Sequence, residues 1–287
     1  MTQSDSQTDS PSPASSEPPP RPAGIDLRGV WFDRVTQAQA VDHIMVHLDA
    51  GQGGWVITSN LDHLLRSGRD PEFRAMLDEC DLVVADGAPL VWASKIQGTP
   101  LPERVAGSEM VWSIAEAAAN RDKSVFLLGG DPGTADASGE VLVRKYPNLR
   151  IAGTFCPPMG FEKDPEQMEA MTRALRESGA DLVYVALGSP KQERLIREIR
   201  EVLPGAWWLG VGISLSFIAG EVKQAPVLIR KFGMEWMHRM LQEPKRLARR
   251  YLIDGIPFAF VLISSSVLRR VVKNRAELET PAGRRSA

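Results

Sequence analysis

Six short apolar runs recur along the chain, at Trp55–Thr58, Leu82–Ala85, Val125–Leu128, Arg150–Thr154, Leu182–Leu187 and Trp207–Val211. Most lack the polar–apolar alternation of a half-exposed strand. Runs of this kind suit strands buried on both faces of a parallel sheet, where helices cover each side. The segments between them carry helical spacing, as in Ser108–Asn120, Gly133–Lys145, Pro165–Ser178 and Pro190–Val202. Pro190 stands where a first helical residue has no intrahelical partner for its N–H, so proline costs nothing there. The pattern predicts an α/β fold, Rossmann-like and doubly wound, with a mostly parallel sheet. No repeat of fixed period occurs in residues 24–287.

Residues 1–23 hold six prolines, many Ser and Thr, and no apolar run. Such a segment cannot bury enough surface to offset its ordering entropy and is expected to be a disordered tail. It also lacks a basic start followed by an apolar stretch, which predicts a cytoplasmic chain. Residues 24–222 form the expected α/β domain, 223–275 a basic helical appendage and 276–287 a second disordered tail. The formal charge is −2 overall, yet Lys223 to Arg275 holds twelve Lys and Arg against Glu235, Glu243 and Asp254. That quarter is built to meet something anionic. The two cysteines, Cys80 and Cys156, read as buried thiols without chemistry in a reduced compartment.

In a doubly wound fold the ligand sits beyond the carboxyl ends of the strands, where loops converge and helix N-termini offer free N–H groups. Ser59-Asn60 follows the first run, Asp86-Gly87 the second, and Gly129-Gly130-Asp131-Pro132-Gly133 the third. Gly188 to Glu193 follows the fifth, and Gly210-Val211-Gly212 belongs to the end of the sixth. Polar and glycine residues therefore collect on one edge of the sheet.

Each of these carries two readings. The loop of Gly129, Gly130 and Gly133 can bring backbone amides to a diphosphate or be a plain strand-to-helix turn; its spacing is neither a dinucleotide fingerprint nor a P-loop. Asp86 can serve as a general base raised by partial desolvation, or as the N-cap of a helix starting near Ala88. Thr58 and Asn60 can hold a sugar or nucleotide, or cap. Gln192, in the first turn of its helix, can reach a ligand, while Glu193 complements the helix dipole. Arg104 reads as a free loop cation able to neutralise a phosphate, or as a solvated arginine.

No Asp-X-Asp pair occurs, so the usual carboxylate clamp for a divalent metal on a sugar nucleotide is missing. His43 and His47 have the spacing of two ligands on one helix face, but Val41, Ile44, Met45 and Leu48 form the core-facing stripe, which places both histidines on the solvated side. No metal and no cofactor are expected. His63 reads as a helix-surface histidine, with a second acid/base role as the alternative.

The motifs TSNLDHL, DPEFRAMLDECDLVVADGAPLVW, PERVAGSEM, VFLLGG, ALGSPKQE, GVG…FIAG with VKQAP, and GMEWMHRMLQEPKRLARRYL occur in this order. Together, from about Gly29 to Phe260, the chain resembles the WecG/TagA/CpsF glycosyltransferases. The resemblance implies metal-independent, inverting transfer of a hexose or N-acetylhexosamine-type unit from a UDP-sugar to an undecaprenyl-diphosphate-linked saccharide. It implies Asp86 as the base for the acceptor hydroxyl, with Thr58, Asn60, Arg104 and Gln192 lining the donor and acceptor pocket. Three positions depart from the family pattern: Glu109 stands in place of Asp, Ser216 in place of Asp and Gln224 in place of Arg. They bear on substrate preference more than on reaction class.

A polyprenyl-anchored acceptor presents its diphosphate at headgroup level, where Arg239, Arg246, Arg249 and Arg250 are the candidates to clamp it. On helical spacing Arg239, Arg246 and Arg250 share a face. The run Ile256–Leu268, thirteen residues, falls short of the roughly twenty that span a bilayer, which predicts a peripheral helix on an anionic membrane surface. Docking of that segment on its own domain or on a second subunit stays open, and with it a homo-oligomer. No nucleic-acid partner is expected. Two other readings stand beside the transferase: a catalytically silent membrane-associated sugar-nucleotide-binding protein, and a dinucleotide-dependent oxidoreductase. The latter needs a Gly-rich turn after the first strand, where Thr58-Ser59-Asn60 stands instead.

Overall fold

A computed structural model describes residues 19–226, residue 229 and residues 235–279. Most of the expected N-terminal tail and residues 280–287 lie outside that range. The chain opens with an antiparallel hairpin, β1 (Gly24–Leu27) and β2 (Val30–Asp33), that the apolar pattern did not announce because each strand is only four residues long. Six parallel strands follow: β3 (Gly54–Ser59), β4 (Leu82–Ala85), β5 (Ser124–Gly129), β6 (Arg150–Phe155), β7 (Leu182–Ala186) and β8 (Trp207–Gly210). Their spatial order is β4-β3-β8-β7-β5-β6. Each overlaps one predicted run, and two core clusters cover the two faces of the sheet. The fold is α/β and Rossmann-like.

The helices of the first half are α1 (Gln37–Asp49), α2 (Leu61–Ser67), α3 (Pro71–Glu79), α4 (Ala88–Gln97), α5 (Gly107–Asn120) and α6 (Thr134–Lys145). After β6 come α7 (Pro165–Ser178), α8 (Lys191–Ile199) and α9 (Ser214–Ile218). Local chemistry sets several starts. Thr36 and Gln39 form a reciprocal capping box on α1, and Asp70 and Asp164 cap α3 and α7 just before a proline. Pro190 is the N-cap of α8 rather than its first helical residue, and its bond to Ser189 is cis.

The hairpin is fastened to the sheet by a buried carboxylate. Asp33 accepts the Val83 N–H of β4 at 2.7 Å and pairs with Arg21 at 2.9 Å. Arg21 lies within the segment expected to be tail, and it also donates to the Cys80 carbonyl. Cys80 is buried as expected, whereas Cys156 is only half-buried, because it sits in the loop after β6 rather than under a helix.

The C-terminal region breaks into α10 (Glu235–Gln242), α11 (Pro244–Ala248), a π-helical segment (Arg249–Gly255) and α12 (Ile256–Glu279). The shared face expected for Arg239, Arg246 and Arg250 required one continuous helix. Pro244 prevents it, forcing Glu243 out of helical geometry (φ −130°, ψ 62°). The length argument from Ile256–Leu268 also fails: α12 has 24 residues, and Arg249–Lys273 is long and apolar enough to cross a membrane by length and composition. Its helix reaches Glu279, beyond the expected start of the second tail at residue 276. Instead of standing apart, α12 lies against α4, burying Leu262 and Ser266 and bringing Phe258 and Ile263 onto the core. Its outer face leaves Phe260, Leu268 and Val272 about two-thirds exposed.

Candidate active site

A cleft of about 1260 Å³ opens over the carboxyl ends of all six parallel strands. Its floor holds Thr58 near the end of β3 and Asn60 after it, Asp86 after β4, Gly130 after β5, Pro157 after β6, Gly188 after β7 and Val211 after β8, and its far wall is α10 and the π-helical segment. β3 connects to β4 on one side of it while β8, β7, β5 and β6 lie on its other side, and ligands of open α/β sheets bind beyond the strand carboxyl ends where connections change direction in this way.

Asp86 continues the ladder of β4, its N–H donating to the Ser59 carbonyl at 2.8 Å. Its Oδ2 accepts the Gly107 N–H at 3.1 Å, and its Oδ1 lies 3.5 Å from Nη1 of Arg104. The N-cap of α4 is Gly87, with no side-chain bond, so Asp86 does not cap that helix; it holds the first amide of α5 instead. Burial pushes the Asp86 carboxyl up to about 6, against the pull of Arg104 and the Gly107 amide and helped by the charges of Glu235 and Glu109. A carboxyl so placed is half-ionised near pH 6 and mostly ionised at neutrality, able to accept a proton from a ligand hydroxyl. Gly107 leaves room for this junction: a Cβ there would stand 2.7 Å from Thr58 Oγ1.

Arg104 is not the free cation expected. It is surrounded by carboxylates, with Asp86 at 3.5 Å and Glu109 and Glu235 each at 3.8 Å. Asn60 lines the cleft and caps α2, accepting from the Asp62 and His63 amides at 3.0 and 3.2 Å. Gln192 also reaches the cleft, but both its polar ends are held by protein. Oε1 accepts from Gly212 N–H at 3.0 Å and Nε2 donates to Glu193 at 2.9 Å, tying α8 to the loop after β8.

The glycine loop is divided. Gly130 lines the cleft, while Gly129 and Gly133 do not; Gly133 is the N-cap of α6. The Thr134 hydroxyl, at the first position of α6, donates to the Glu221 carboxylate at 2.7 Å. The helix end at which the loop was expected to receive a diphosphate is thus faced by an anion of the protein itself.

Of the four appendage arginines, Arg239 and Arg250 line the cleft. Arg250 pairs with Asp62 at 2.9 Å and keeps a buried Nε without a partner. Arg249 is exposed, and the side chain of Arg246 lies outside the described residues. Among the departures, Glu109 meets Arg104, Ser216 lines the cleft and Gln224 is half-buried outside it.

The histidines differ from expectation. His43 is buried, its ring 4.1 Å from that of His47 and both edge-on to Trp207, because the wide indole of β8 extends the core beneath α1. Burial holds His43 below its ordinary range. His63 is no surface residue either: it is buried against Phe73, lines the cleft and is held neutral by burial. Among the described residues no group of three His, Cys, Asp or Glu is arranged to hold a metal.

The sequence does not single out Glu235, nor Trp236 and Tyr251, whose rings lie 5.6 Å apart on the cleft wall, tilted by 55°. Their signal is present in GMEWMHRM and in the Tyr of ARRYL, but nothing local distinguishes a wall residue of a distant cleft from a helix-surface one.

Residues 25–272 match the family described as "Glycosyl transferase WecG/TagA/CpsF family". A relative from Bacillus spizizenii, N-acetylglucosaminyldiphosphoundecaprenol N-acetyl-beta-D-mannosaminyltransferase, is 33% identical over 210 residues, covering 73% of this chain and 79% of its own length. The match spans the parallel sheet, the cleft that holds Asp86 and Arg104, and the C-terminal helices, and this chain belongs to the WecG/TagA/CpsF family of glycosyltransferases.

Proposed function

We propose that this glycosyltransferase moves a hexose or N-acetylhexosamine-type sugar, with inversion, from a UDP-sugar to a polyprenyl-diphosphate-linked saccharide in cell-surface polysaccharide biosynthesis. The observation that carries the reading is Asp86, a partly buried carboxyl raised to about 6 at the mouth of the sheet and set 3.5 Å from Arg104. In a single displacement the acceptor hydroxyl attacks the anomeric carbon, its proton passes to Asp86, and the bond to the nucleoside diphosphate breaks. Oδ2 is held by Gly107, leaving Oδ1 toward the acceptor. Arg104, Arg239 and Arg250 surround the space a leaving diphosphate needs, and charge-assisted bonds from guanidinium groups stabilise it as it departs. Thr58, Asn60 and the Gly130 backbone line the rest of the floor, while Gln192 shapes it from behind. The name of the Bacillus spizizenii relative supports a lipid-linked acceptor, since that protein acts on a diphosphoundecaprenol.

The acceptor chemistry supports a peripheral place on the cytoplasmic face of the membrane. The docking of α12 along α4 favours a helix lying on the surface over one that leaves its domain to span the bilayer, and its outer apolar face beside Arg249 and Lys273 suits an anionic leaflet. Incubating purified protein with a panel of radiolabelled UDP-sugars and polyprenyl-diphosphate acceptors tests the reading. Label in the lipid fraction for at least one pair, with inverted anomeric configuration, is the expected result. Hydrolysis or binding without transfer across the panel would overturn it.

A further inference from the structure

Glu235 comes from the first turn of α10, beyond the α/β domain, yet its carboxylate reaches the floor of the cleft. Nη1 of Arg104 is the single atom contested there: Asp86 Oδ1 stands 3.5 Å away and Glu235 Oε2 3.8 Å away. Glu109 draws the other terminal nitrogen from 3.8 Å. All three distances exceed those of tight charge-assisted bonds, so the guanidinium is suspended among three carboxylates and settled on none. Arg104 and Glu235 side chains are 19% and 16% exposed, so these charges act through little water, whereas Glu109 is 40% exposed and screened.

We propose that Glu235 is a positioning residue for the transfer reaction: it competes with Asp86 for Arg104 and so keeps the guanidinium from collapsing onto the carboxylate that takes the acceptor proton. The inference rests on Asp86 as the base. A guanidinium paired closely with Asp86 would stabilise its ionised form and make it a poor proton acceptor; an acid on the opposite side of Arg104 prevents that and adds a like charge. The geometry also links the C-terminal segment to the chemistry, since Asp86 gains this setting only when α10 is docked. Three charges face Asp86 directly, Arg104 from the loop before α5, Glu109 from α5 and Glu235 from α10. The cleft's other charged or titratable groups, Asp62 and His63 on α2, Asp131, Lys191, Arg239, Glu243, Arg250 and Tyr251, stay in place when Glu235 alone is changed.

The test is a carboxyl ¹³C NMR titration of full-length protein, the Asp86 resonance being assigned by its loss in Asp86→Asn. In Glu235→Gln the Asp86 midpoint should fall by roughly half a unit to one unit, with a smaller fall in Glu109→Gln. Glu235→Asp, which keeps the charge on a shorter arm, should fall between Glu235→Gln and wild type and serves if the glutamine variant does not fold. With substrates, the acid limb of kcat/KM should move down by the same amount. An unmoved Asp86 midpoint, even with a lowered kcat, would make Glu235 structural and overturn the inference. The titration needs neither donor nor acceptor, so failure to find a transfer reaction would count against the proposed function and leave this result standing by itself.

Discussion

Asp86 and Gly107 meet across the floor of the cleft, the carboxylate at the end of β4 accepting the first amide of α5 at 3.1 Å. The bond does two things at once. It fixes the carboxyl plane, and it places a negative group at a helix N-terminus, where the dipole favours the ionised form. Burial nevertheless wins, since the carboxyl stands at about 6. Desolvation therefore outweighs one amide and one shared arginine, the balance a base needs if it is to bind a proton during turnover and release it afterwards.

Replacing Asp86 by Asn keeps an oxygen for the Gly107 amide and removes basicity. Turnover in Asp86→Asn should fall by about 10²–10⁴-fold, the usual range for loss of a general base, with the far-UV spectrum unchanged. Single-turnover assays at saturating donor and acceptor check this; activity within a few-fold of wild type would remove Asp86 from the mechanism.

The raised carboxyl also makes a pH prediction with a definite sign. Activity governed by free Asp86 should drop about tenfold per unit below pH 6, because only the ionised form accepts a proton. For stability the native state holds the proton more tightly than the unfolded chain, whose carboxyl titrates at 3.8. Asp86 therefore lowers stability as pH rises from about 4 through 6, and the penalty is complete above that and absent below. Asp86→Asn escapes it and should be more stable than wild type by on the order of 2–3 kcal/mol at pH 8, with the gap closing by pH 4. Urea unfolding at the two pH values measures the difference.

Three arginines, Arg104, Arg239 and Arg250, line the cleft, and the buried Nε of Arg250 lacks a protein partner. Arg239 and the unpartnered Nε of Arg250 can hold a departing diphosphate without a cation, so transfer should continue in excess EDTA at more than half its untreated rate. Complete loss with rescue by manganese or magnesium would refute this. Arg239→Ala and Arg250→Ala should each lower kcat/KM by about 10-fold or more, since a charge-assisted bond contributes about 1.5–3 kcal/mol.

How much of this was legible follows from which forces are local. Trp207 to Leu209 and Leu182 to Val185 read as two-sided strands because their burial is written in consecutive apolar residues, and the polar ends that follow them were found by topology alone. The β1–β2 hairpin was not legible, since it is held by Asp33 reaching Arg21 and Val83 N–H, contacts that no periodicity records. Asp86 is legible from its place at the end of LVVAD, but its partners are not: Arg104 looks free because its three carboxylates come from the end of β4, from α5 and from α10. His43 was misplaced for a similar reason, its solvated-looking helix face being covered by Trp207 from the other end of the chain. Pro244 is visible in the sequence, and a proline at that position ends the shared arginine face.

The membrane-facing role proposed for α12 is testable without deleting it. Removing the helix would strip Leu262 and Phe258 from the core and uncover α4, so loss of binding in a truncated protein would say little. The outer face offers a cleaner change, because Phe260, Leu268 and Val272 are 70%, 65% and 66% exposed and touch little of the protein. Inserted at the headgroup boundary, each would contribute about 1.5–3 kcal/mol of apolar burial, and nearby Arg249 and Lys273 about 1 kcal/mol each against anionic lipid. Serine at all three positions should therefore weaken binding to phosphatidylglycerol-containing vesicles by at least about 100-fold while leaving the melting temperature within a few degrees of wild type. Transfer to long-chain acceptor in vesicles should fall in parallel, and transfer to a short, water-soluble diphosphate acceptor should not. Cosedimentation at low and high salt separates the apolar part from the electrostatic part. Equal vesicle binding by the triple variant and wild type would place the membrane contact elsewhere on the protein and leave the exposed face of α12 without this role.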